Sequence, residues 1–139
     1  MPTPVSYSVY PIGFIRSDVR GREAAPQQGR EGAPNALIEV LPSYKKPLYR
    51  IQVGDEIIII TCLHRARRNV LKVRPRGDAS RPLTGVFSAR SPDPPNPLGL
   101  HRVKVLKIGQ GKLRVGRIEA IDETPVVDIK PVLPISADS

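Results

Sequence analysis

The chain has 139 residues, of which 40% are hydrophobic and 25% charged, and this suits one domain with a single core. Its single cysteine, Cys62, cannot form an internal disulfide and cannot by itself make a zinc site. The formal net charge of +9 favours a polyanionic partner such as nucleic acid.

The N-terminal sequence MPTPVSYSVY has no basic segment followed by a long apolar stretch, so we expect no secretory signal peptide. The longest apolar run, residues 57–63, is far too short to span a bilayer. These features predict a cytoplasmic protein without a membrane segment and without a metal site.

Short alternating or β-branched segments recur along the chain, separated by turns rich in glycine and proline. In chain order, the predicted strands are 9–16, 36–41, 56–63, 71–74, 85–87, 102–108, 112–116, 118–121 and 126–129. A helical turn is predicted within 43–53, and residues 17–35 read as a long loop. The pattern predicts an all-β fold: a compact single-domain β-barrel of about seven to nine short strands with long loops and little helix. The single domain spans residues 1–139, with an extended tail after about residue 131.

Two stretches give the most definite local predictions. The sequence EIIIITCL at 56–63 is typical of a strand that is buried on both faces or set in a barrel wall, with Cys62 in the core. The sequence IGQGKL at 108–113 predicts a hairpin turn that contains a glycine.

Basic residues are concentrated between residues 64 and 90, where eight Lys and Arg residues accompany one acid, Asp78. Such a block favours binding to phosphate, and the alternative is a solvated basic face that keeps the protein soluble. The predicted RNA-binding residues are Arg67, Arg68, Lys72, Arg74 and Arg76. An aromatic content of 4% with no tryptophan argues against a non-catalytic RNA-binding barrel that relies on base stacking.

The sequence GVFSARSPDPPNPLGL at 85–100 predicts a stiff loop, here called the proline loop. Its prolines fix φ and lack N–H donors, which leaves a rigid track of carbonyl oxygens. Such a track suits a ligand with N–H donors and a positive centre, and Gly99 would let a ligand approach the backbone closely. From the pattern alone, a purely structural connector is an equal alternative.

The proline loop and the sequence IDETPVVDIKPVLP at 121–134 resemble the signature of the TsaA-like family, the YaeB-type tRNA methyltransferases also called tRNA methyltransferase O. The sequence IGFIRS at 12–17, the loop at 26–28 and His64 also lie where that family has them. The resemblance implies a β-barrel that binds S-adenosyl-L-methionine and pairs as a homodimer. It further implies N6-methylation of the threonylcarbamoyl-modified adenosine immediately 3′ of a tRNA anticodon.

The resemblance also implies a set of site residues. Carried over on the matching motifs, the cofactor-binding residues are Gln28, Gly29, Arg30, His64, Arg65, Arg90, Leu100, Asp122, Glu123, Thr124 and Pro125. The catalytic base stays open, with His64 as first candidate, Asp122 as second, and the carboxylate of the substrate as a third. Structural alternatives also stand: His64 as a packing residue, Arg90 as a partner of Asp93, and Asp122 as a turn residue.

The chain departs from the family pattern at several positions. Pro94 stands where the family usually has an arginine, Glu123 where a glycine is common, and Val132 where a tyrosine is common. The sequence also ends soon after the last motif, so we expect no extra C-terminal domain of the kind found in longer members. Two alternatives therefore remain open: an S-adenosyl-L-methionine-binding protein or methyltransferase with a different substrate, and a non-catalytic basic RNA-binding β-barrel.

Overall fold

Six antiparallel strands close into a barrel in the computed structural model, which describes residues 5–17, 35–63, 72–74, 79–90 and 94–134. The barrel strands are β1 (Gly13–Arg16), β2 (Ala36–Val40), β3 (Glu56–Cys62), β6 (Leu98–Gly109), β7 (Lys112–Val115) and β8 (Pro125–Pro131). Around the ring the order is β1-β2-β7-β6-β3-β8. A separate two-stranded sheet is formed by β4 (Lys72–Val73) and β5 (Thr84–Gly85). The predicted all-β barrel is confirmed, whereas the single-domain boundary and the tail stay predictions.

Strand β3 shows why the isoleucine-rich run forms a barrel wall. Ile57, Ile59 and Thr61 point inward and are almost fully buried, whereas Ile58, Ile60 and Cys62 face outward and are half-buried. Cys62 belongs to the outward set, so its predicted place in the core is wrong. The two-residue alternation of a strand decides this, because Thr61 takes the inward phase.

The barrel interior is filled by aliphatic side chains from all six strands and from the segment between β7 and β8. The fully buried ones include Ile15, Ile38, Ile59, Leu113 and Ile118. β-branched and leucine side chains from alternating positions fill the interior of a small barrel in this way.

The turn between β6 and β7 agrees with its predicted hairpin. Gln110 and Gly111 have φ of 52° and 74°, and Gly109 pairs with Lys112 in the flanking ladder. Positive φ at both central residues is the geometry that matches the twist of an antiparallel hairpin.

The predicted strand at 118–121 is wrong. Ile118 and Ala120 are buried in the core and Glu119 and Ile121 are half-buried, so the side chains alternate as in a strand. The backbone of these residues, however, pairs with no other strand and does not form one itself. Alternation in sequence reports which side chains are buried, and it carries no information about backbone pairing.

The remaining differences concern boundaries and turns. The helical turn within 43–53 takes the form of two 3-10 turns, Pro42–Tyr44 and Lys46–Leu48, and Tyr44 and Leu48 pack against the core. The predicted strand at 85–87 is shortened because residues 86–88 form another 3-10 turn. No helix in the described ranges is long and apolar enough to cross a membrane.

The two ends of the barrel differ in the connections they carry. At one end β1, β3 and β7 finish and β2, β6 and β8 begin, and we call this end the loop rim. The loop rim carries three connections, 17–35, 63–97 and 116–124, and two of the three are longer than any at the other rim, which carries 41–55 and the two-residue turn. The loop rim is therefore the end with enough chain to build a binding site.

Candidate functional site at the loop rim

Every segment that the sequence predicts to contribute to the site is connected to the barrel at the loop rim. Residues 18–34 join β1 to β2, the proline loop leads into β6, and residues 122–125 lead into β8. The predicted residues outside the described ranges are Gln28, Gly29, Arg30, His64, Arg65, Arg67, Arg68 and Arg76. The antiparallel topology brings the described flanks of these segments to one end of the molecule.

The segment between β7 and β8 holds both flanks of residues 18–34. Ser17 donates its N–H to Oδ1 of Asp122 at 2.8 Å and its hydroxyl to the carbonyl of Ala120 at 3.0 Å. On the other flank, Arg117 donates its N–H to Oδ1 of Asn35 at 3.3 Å. Asp122 therefore has a structural role at the rim, which agrees with the turn-residue alternative for one of its oxygens.

The last motif forms a tight turn beside the end of β1. Thr124 donates its N–H to the carbonyl of Ile121 at 3.1 Å, and its buried hydroxyl donates to the same oxygen at 2.6 Å. Glu123 donates its N–H to the carbonyl of Ile15 at 2.7 Å. Pro125 faces Phe14 in the ladder between β1 and β8. The hydroxyl of Thr124 thus stabilises the turn, and the hydrogen bond from Glu123 holds the turn against β1.

Glu123 occupies an unusual backbone position in this turn. Its φ is 70°, in the left-handed region that favours glycine. The related family commonly has glycine at this position. In this chain, a residue with a side chain therefore adopts a backbone conformation that favours glycine. The carboxylate is exposed, and its Oε1 lies 3.5 Å from Nη1 of Arg16.

A buried polar chain below the loop rim is the main feature that sequence reasoning missed. Oγ1 of Thr61 lies 2.8 Å from Nε2 of His101, and Nδ1 of His101 lies 2.7 Å from Oε1 of Glu119. Thr61 is fully buried and His101 is only 6% exposed. The chain joins β3, β6 and the segment before β8, all of which continue into predicted site residues.

A signal for His101 was present in the sequence. His101, Val103 and Val105 share one phase of the alternation along β6, and all three are buried. A histidine in the inward phase of a strand needs polar partners in the core. The motif residue Leu100 precedes His101 in the sequence, but it faces outward and is 41% exposed.

Gly99 makes room for this polar chain. A Cβ at this position would lie 2.5 Å from Oγ1 of Thr61, 2.9 Å from Cδ2 of Leu63 and 3.0 Å from Nε2 of His101. The expectation that Gly99 leaves space for a ligand is therefore wrong, because protein atoms occupy that space. The glycine allows close packing between β3 and β6.

The end of the proline loop is tied to the end of β3 through backbone groups. Leu63 donates its N–H to the carbonyl of Pro97 at 2.6 Å, and Leu98 donates its N–H to the carbonyl of Asn96 at 2.7 Å. Pro94, the first described residue after the gap at 91–93, is half-buried. His64 follows Leu63 directly in the sequence. The hydrogen bond between Leu63 and Pro97 therefore connects the end of the proline loop to the start of the segment that begins with His64.

The basic residues of β4, β5 and their flanks lie on an exposed part of the molecule. Arg90 is exposed and forms no side-chain hydrogen bond or ion pair in the part of the chain that the structure describes. Lys72 is also exposed. Nη1 of Arg74 donates to the carbonyls of Arg81 at 2.6 Å and Ala79 at 3.4 Å, so Arg74 braces its own turn. The proposed pairing of Arg90 with Asp93 involves a residue outside the described ranges.

No group of three or more His, Cys, Asp or Glu side chains suited to a metal ion is found among the described residues.

These features define a small antiparallel β-barrel whose candidate site is built from three connections at one rim. The chain belongs to the family of tRNA-methyltransferase O N-terminal domains, whose family model matches residues 14–139. The family resemblance recognised in the sequence is therefore confirmed.

Two relatives have names that refer to a ligand. One, from Methanothermobacter thermautotrophicus and named "Probable S-adenosyl-L-methionine-binding protein", is 42% identical over 123 residues, 88% of either chain. Another, from Archaeoglobus fulgidus and named "S-adenosyl-L-methionine-binding protein", is 36% identical over 89% of this chain and 88% of its own. At the level of the family, these names confirm S-adenosyl-L-methionine as the expected cofactor.

A solved structure supports the fold over nearly the whole chain. The crystal structure of TrmO from Pseudomonas aeruginosa is similar with a TM-score of 0.74 and 30% identity over 99% of this chain. This chain spans 59% of the length of that protein, less than two thirds.

Proposed function

We propose that this chain is an S-adenosyl-L-methionine-dependent tRNA methyltransferase that methylates N6 of the threonylcarbamoyl-adenosine immediately 3′ of the anticodon. The observation that carries the proposal is that the described flanks of the family's motif segments lie at one barrel rim. The family description supports a tRNA substrate, and the motif resemblance supports the particular nucleoside.

The described residues at the loop rim fit the chemistry of this cofactor. Its amino-acid end carries a carboxylate, which matches the guanidinium of Arg90, and its cationic groups match the exposed carboxylate of Glu123. Its adenine matches an exposed apolar side chain such as Leu100. When bound, the cofactor supplies an electrophilic methyl group on a sulfonium. Gln28, Gly29, Arg30, His64, Arg65, Asp122, Thr124 and Pro125 complete the proposed site.

The work left to the protein is mainly positioning. The acceptor nitrogen, the methyl carbon and the sulfur must lie in line, with the nitrogen roughly 3–3.5 Å from the carbon. The leaving group is neutral, so only the proton of the nitrogen needs an acceptor. His64 is the proposed base and Asp122 the alternative, and Asp122 already accepts one hydrogen bond from Ser17.

Exposed aromatic residues support the proposed homodimer. Tyr7 is 90% exposed, Tyr10 71% and Phe87 86%, and large exposed aromatic side chains are enriched at protein interfaces. We expect light scattering at micromolar concentration to give twice the chain mass, and a mass near 15.3 kDa would contradict the dimer. A cytoplasmic location is part of the same proposal, since a tRNA-modifying enzyme meets its substrate there.

A methyltransferase or S-adenosyl-L-methionine-binding protein with a different substrate is the second candidate. Proline at position 94 favours it, because an arginine there would offer a charged contact that proline lacks. The names of the relatives also specify only the cofactor.

Calorimetry with the purified protein tests cofactor binding. We expect one S-adenosyl-L-methionine per chain without added metal, and weaker binding in Arg90→Ala than in Arg67→Ala, since only Arg90 lies in the motif. Neither heat nor a thermal shift at millimolar cofactor would contradict the proposal.

Mass spectrometry of tRNA nucleosides tests the substrate. We expect a methyl group on N6 of threonylcarbamoyl-adenosine after incubation of tRNA with the protein and cofactor. Methylation of another nucleoside, or of none despite cofactor binding, would favour the second candidate.

A further inference from the structure

The hairpin formed by β6 and β7 is strongly basic. Residues 98–115 contain five Lys and Arg residues and no acid, so this hairpin alone contributes +5 to a net charge of +9. These residues are separate from the basic block at 64–90. The exposed members on the two strands are Arg102, Lys104, Lys107, Lys112 and Arg114.

The register of the hairpin places two of these cations face to face. Lys107 and Arg114 are direct cross-strand partners, and both side chains point out of the barrel. Neither forms an ion pair with a described residue. Like charges directly opposite each other destabilise a sheet. An anion bound between them would remove this repulsion.

The other cations of the hairpin have partial counter-charges. Arg102 forms an ion pair with Glu56 at 2.6 Å, and Glu56 is also the register partner of Lys104. Lys112 faces Glu39, which lies 3.5 Å from Arg16. Five cations on this face therefore share two acids, and the uncompensated charge is greatest at Lys107 and Arg114.

The basic face is continuous with the proposed cofactor site. Leu100, Arg102 and Lys104 share the outward phase of β6, and Lys107 resumes that phase after the bulge between Val105 and Lys107. At about 3.3 Å per residue, positions 100 and 107 are roughly 23 Å apart along the strand. A chain of phosphates extending from a nucleotide at the loop rim could therefore follow this strand.

We propose that the outward face of the β6–β7 hairpin, centred on Lys107 and Arg114, binds the phosphate backbone of the RNA whose base is presented at the loop rim. This inference rests on the proposed function, because it takes the substrate to be tRNA. The regular spacing of cations on a rigid strand provides backbone binding without base recognition.

Salt-dependent binding of total tRNA tests the proposal. We compare Lys107→Gln and the double variant Lys107→Gln/Arg114→Gln with the matched control Lys130→Gln, which removes one cation already paired with Asp128 at 2.9 Å. The slope of log affinity against log salt should decrease by about 1 for each hairpin substitution and stay near the wild-type value in the control. At 50 mM salt, each hairpin substitution should weaken binding about fivefold to tenfold.

Thermal unfolding separates lost binding from lost structure. The midpoint of Lys107→Gln should equal or exceed that of the wild type, because the substitution removes a repulsion. Weaker tRNA binding with an intact midpoint supports the proposal, whereas the same loss of binding with a lowered midpoint overturns it.

Three outcomes distinguish this inference from the proposed function. Wild-type tRNA methylation together with unchanged tRNA binding in both hairpin variants overturns the hairpin face and leaves the proposed function standing. Failure of the wild type to bind or methylate tRNA, with normal cofactor binding, counts against the proposed function. Loss of binding to phosphatidylserine vesicles in the hairpin variants, with tRNA binding unchanged, would assign the face to membranes and overturn the inference.

Discussion

Thr61 and His101 lie on the inner faces of neighbouring strands, one diagonal step apart in the ladder, with Oγ1 2.8 Å from Nε2. A carboxylate only accepts hydrogen bonds, so Glu119 assigns the proton of a neutral imidazole to Nδ1. In this tautomer Nε2 accepts a hydrogen bond from the hydroxyl of Thr61. The pair connects β3 and β6 close to the loop rim, where β3 ends and β6 begins.

Thr61→Val should destabilise the fold through this contact. Valine keeps the shape of threonine but leaves Nε2 of His101 buried without a partner, which costs about 1–3 kcal/mol. Urea unfolding should therefore show a lower free energy of unfolding. The control is Thr84→Val, whose hydroxyl donates to the carbonyl of Pro82 in an exposed setting. Equal losses in the two variants would contradict a special role for Thr61.

Glu123→Gly should stabilise the protein by about 1 kcal/mol, because glycine adopts positive φ without the cost paid by other residues. The exposed contact with Arg16 at 3.5 Å contributes little, so its loss offsets little of the gain. Glu123→Ala removes the same carboxylate but keeps a side chain on the strained backbone, and it should bring no gain. The midpoints of thermal unfolding of the two variants are the measurement. Equal midpoints would contradict the prediction that the backbone at position 123 is strained.

Gly99→Ala should be poorly tolerated, whereas Gly109→Ala on the same strand should not. The added methyl at position 99 would meet three atoms at 3.0 Å or less, while nothing lies within 4 Å of one at position 109. Overpacking of this kind typically costs about 1–3 kcal/mol. Urea unfolding is the measurement, and a difference below measurement error between the two variants would show that Thr61 and His101 move aside freely.

Pro94→Arg should raise methylation of threonine tRNA, if the proposed function holds. Arginine there restores a charge-assisted contact worth roughly 1.5–3 kcal/mol, and 1.4 kcal/mol corresponds to tenfold in rate. We therefore expect an increase of about tenfold or more with cofactor affinity unchanged, measured by methyl incorporation. Unchanged or reduced methylation would show that this position does not contact the substrate and would favour a different substrate.

The local features of the fold were predictable because they depend on neighbouring residues. The run of β-branched residues around Ile59 predicts a barrel wall, and the glycine at position 111 predicts the hairpin turn. The polar chain was not predictable, because Thr61 and Glu119 lie 40 and 18 residues from His101. Contacts at that separation depend on strand order and register, which a single sequence does not reveal.

For the candidate site, too, local features were predictable from the sequence and contacts between distant segments were not. The motifs identify the segments, and the barrel topology brings the described flanks of those segments to one rim. The sequence also suggested that Asp122 could be a turn residue, and its bond to Ser17 agrees with that. The assignment of individual residues to the cofactor stays a prediction, because packing decides which side chains reach a ligand, as Gly99 illustrates.

Closure of the ring has a consequence for folding kinetics. Gly13 pairs with Val126, so the last ladder joins positions more than a hundred residues apart. Bringing such distant segments together costs loop entropy before any contact compensates it, and folds of this kind are slow. During synthesis, β1 has no second neighbour until β8 has left the ribosome, so its unpaired edge is the place where chaperones or aggregation would compete with folding.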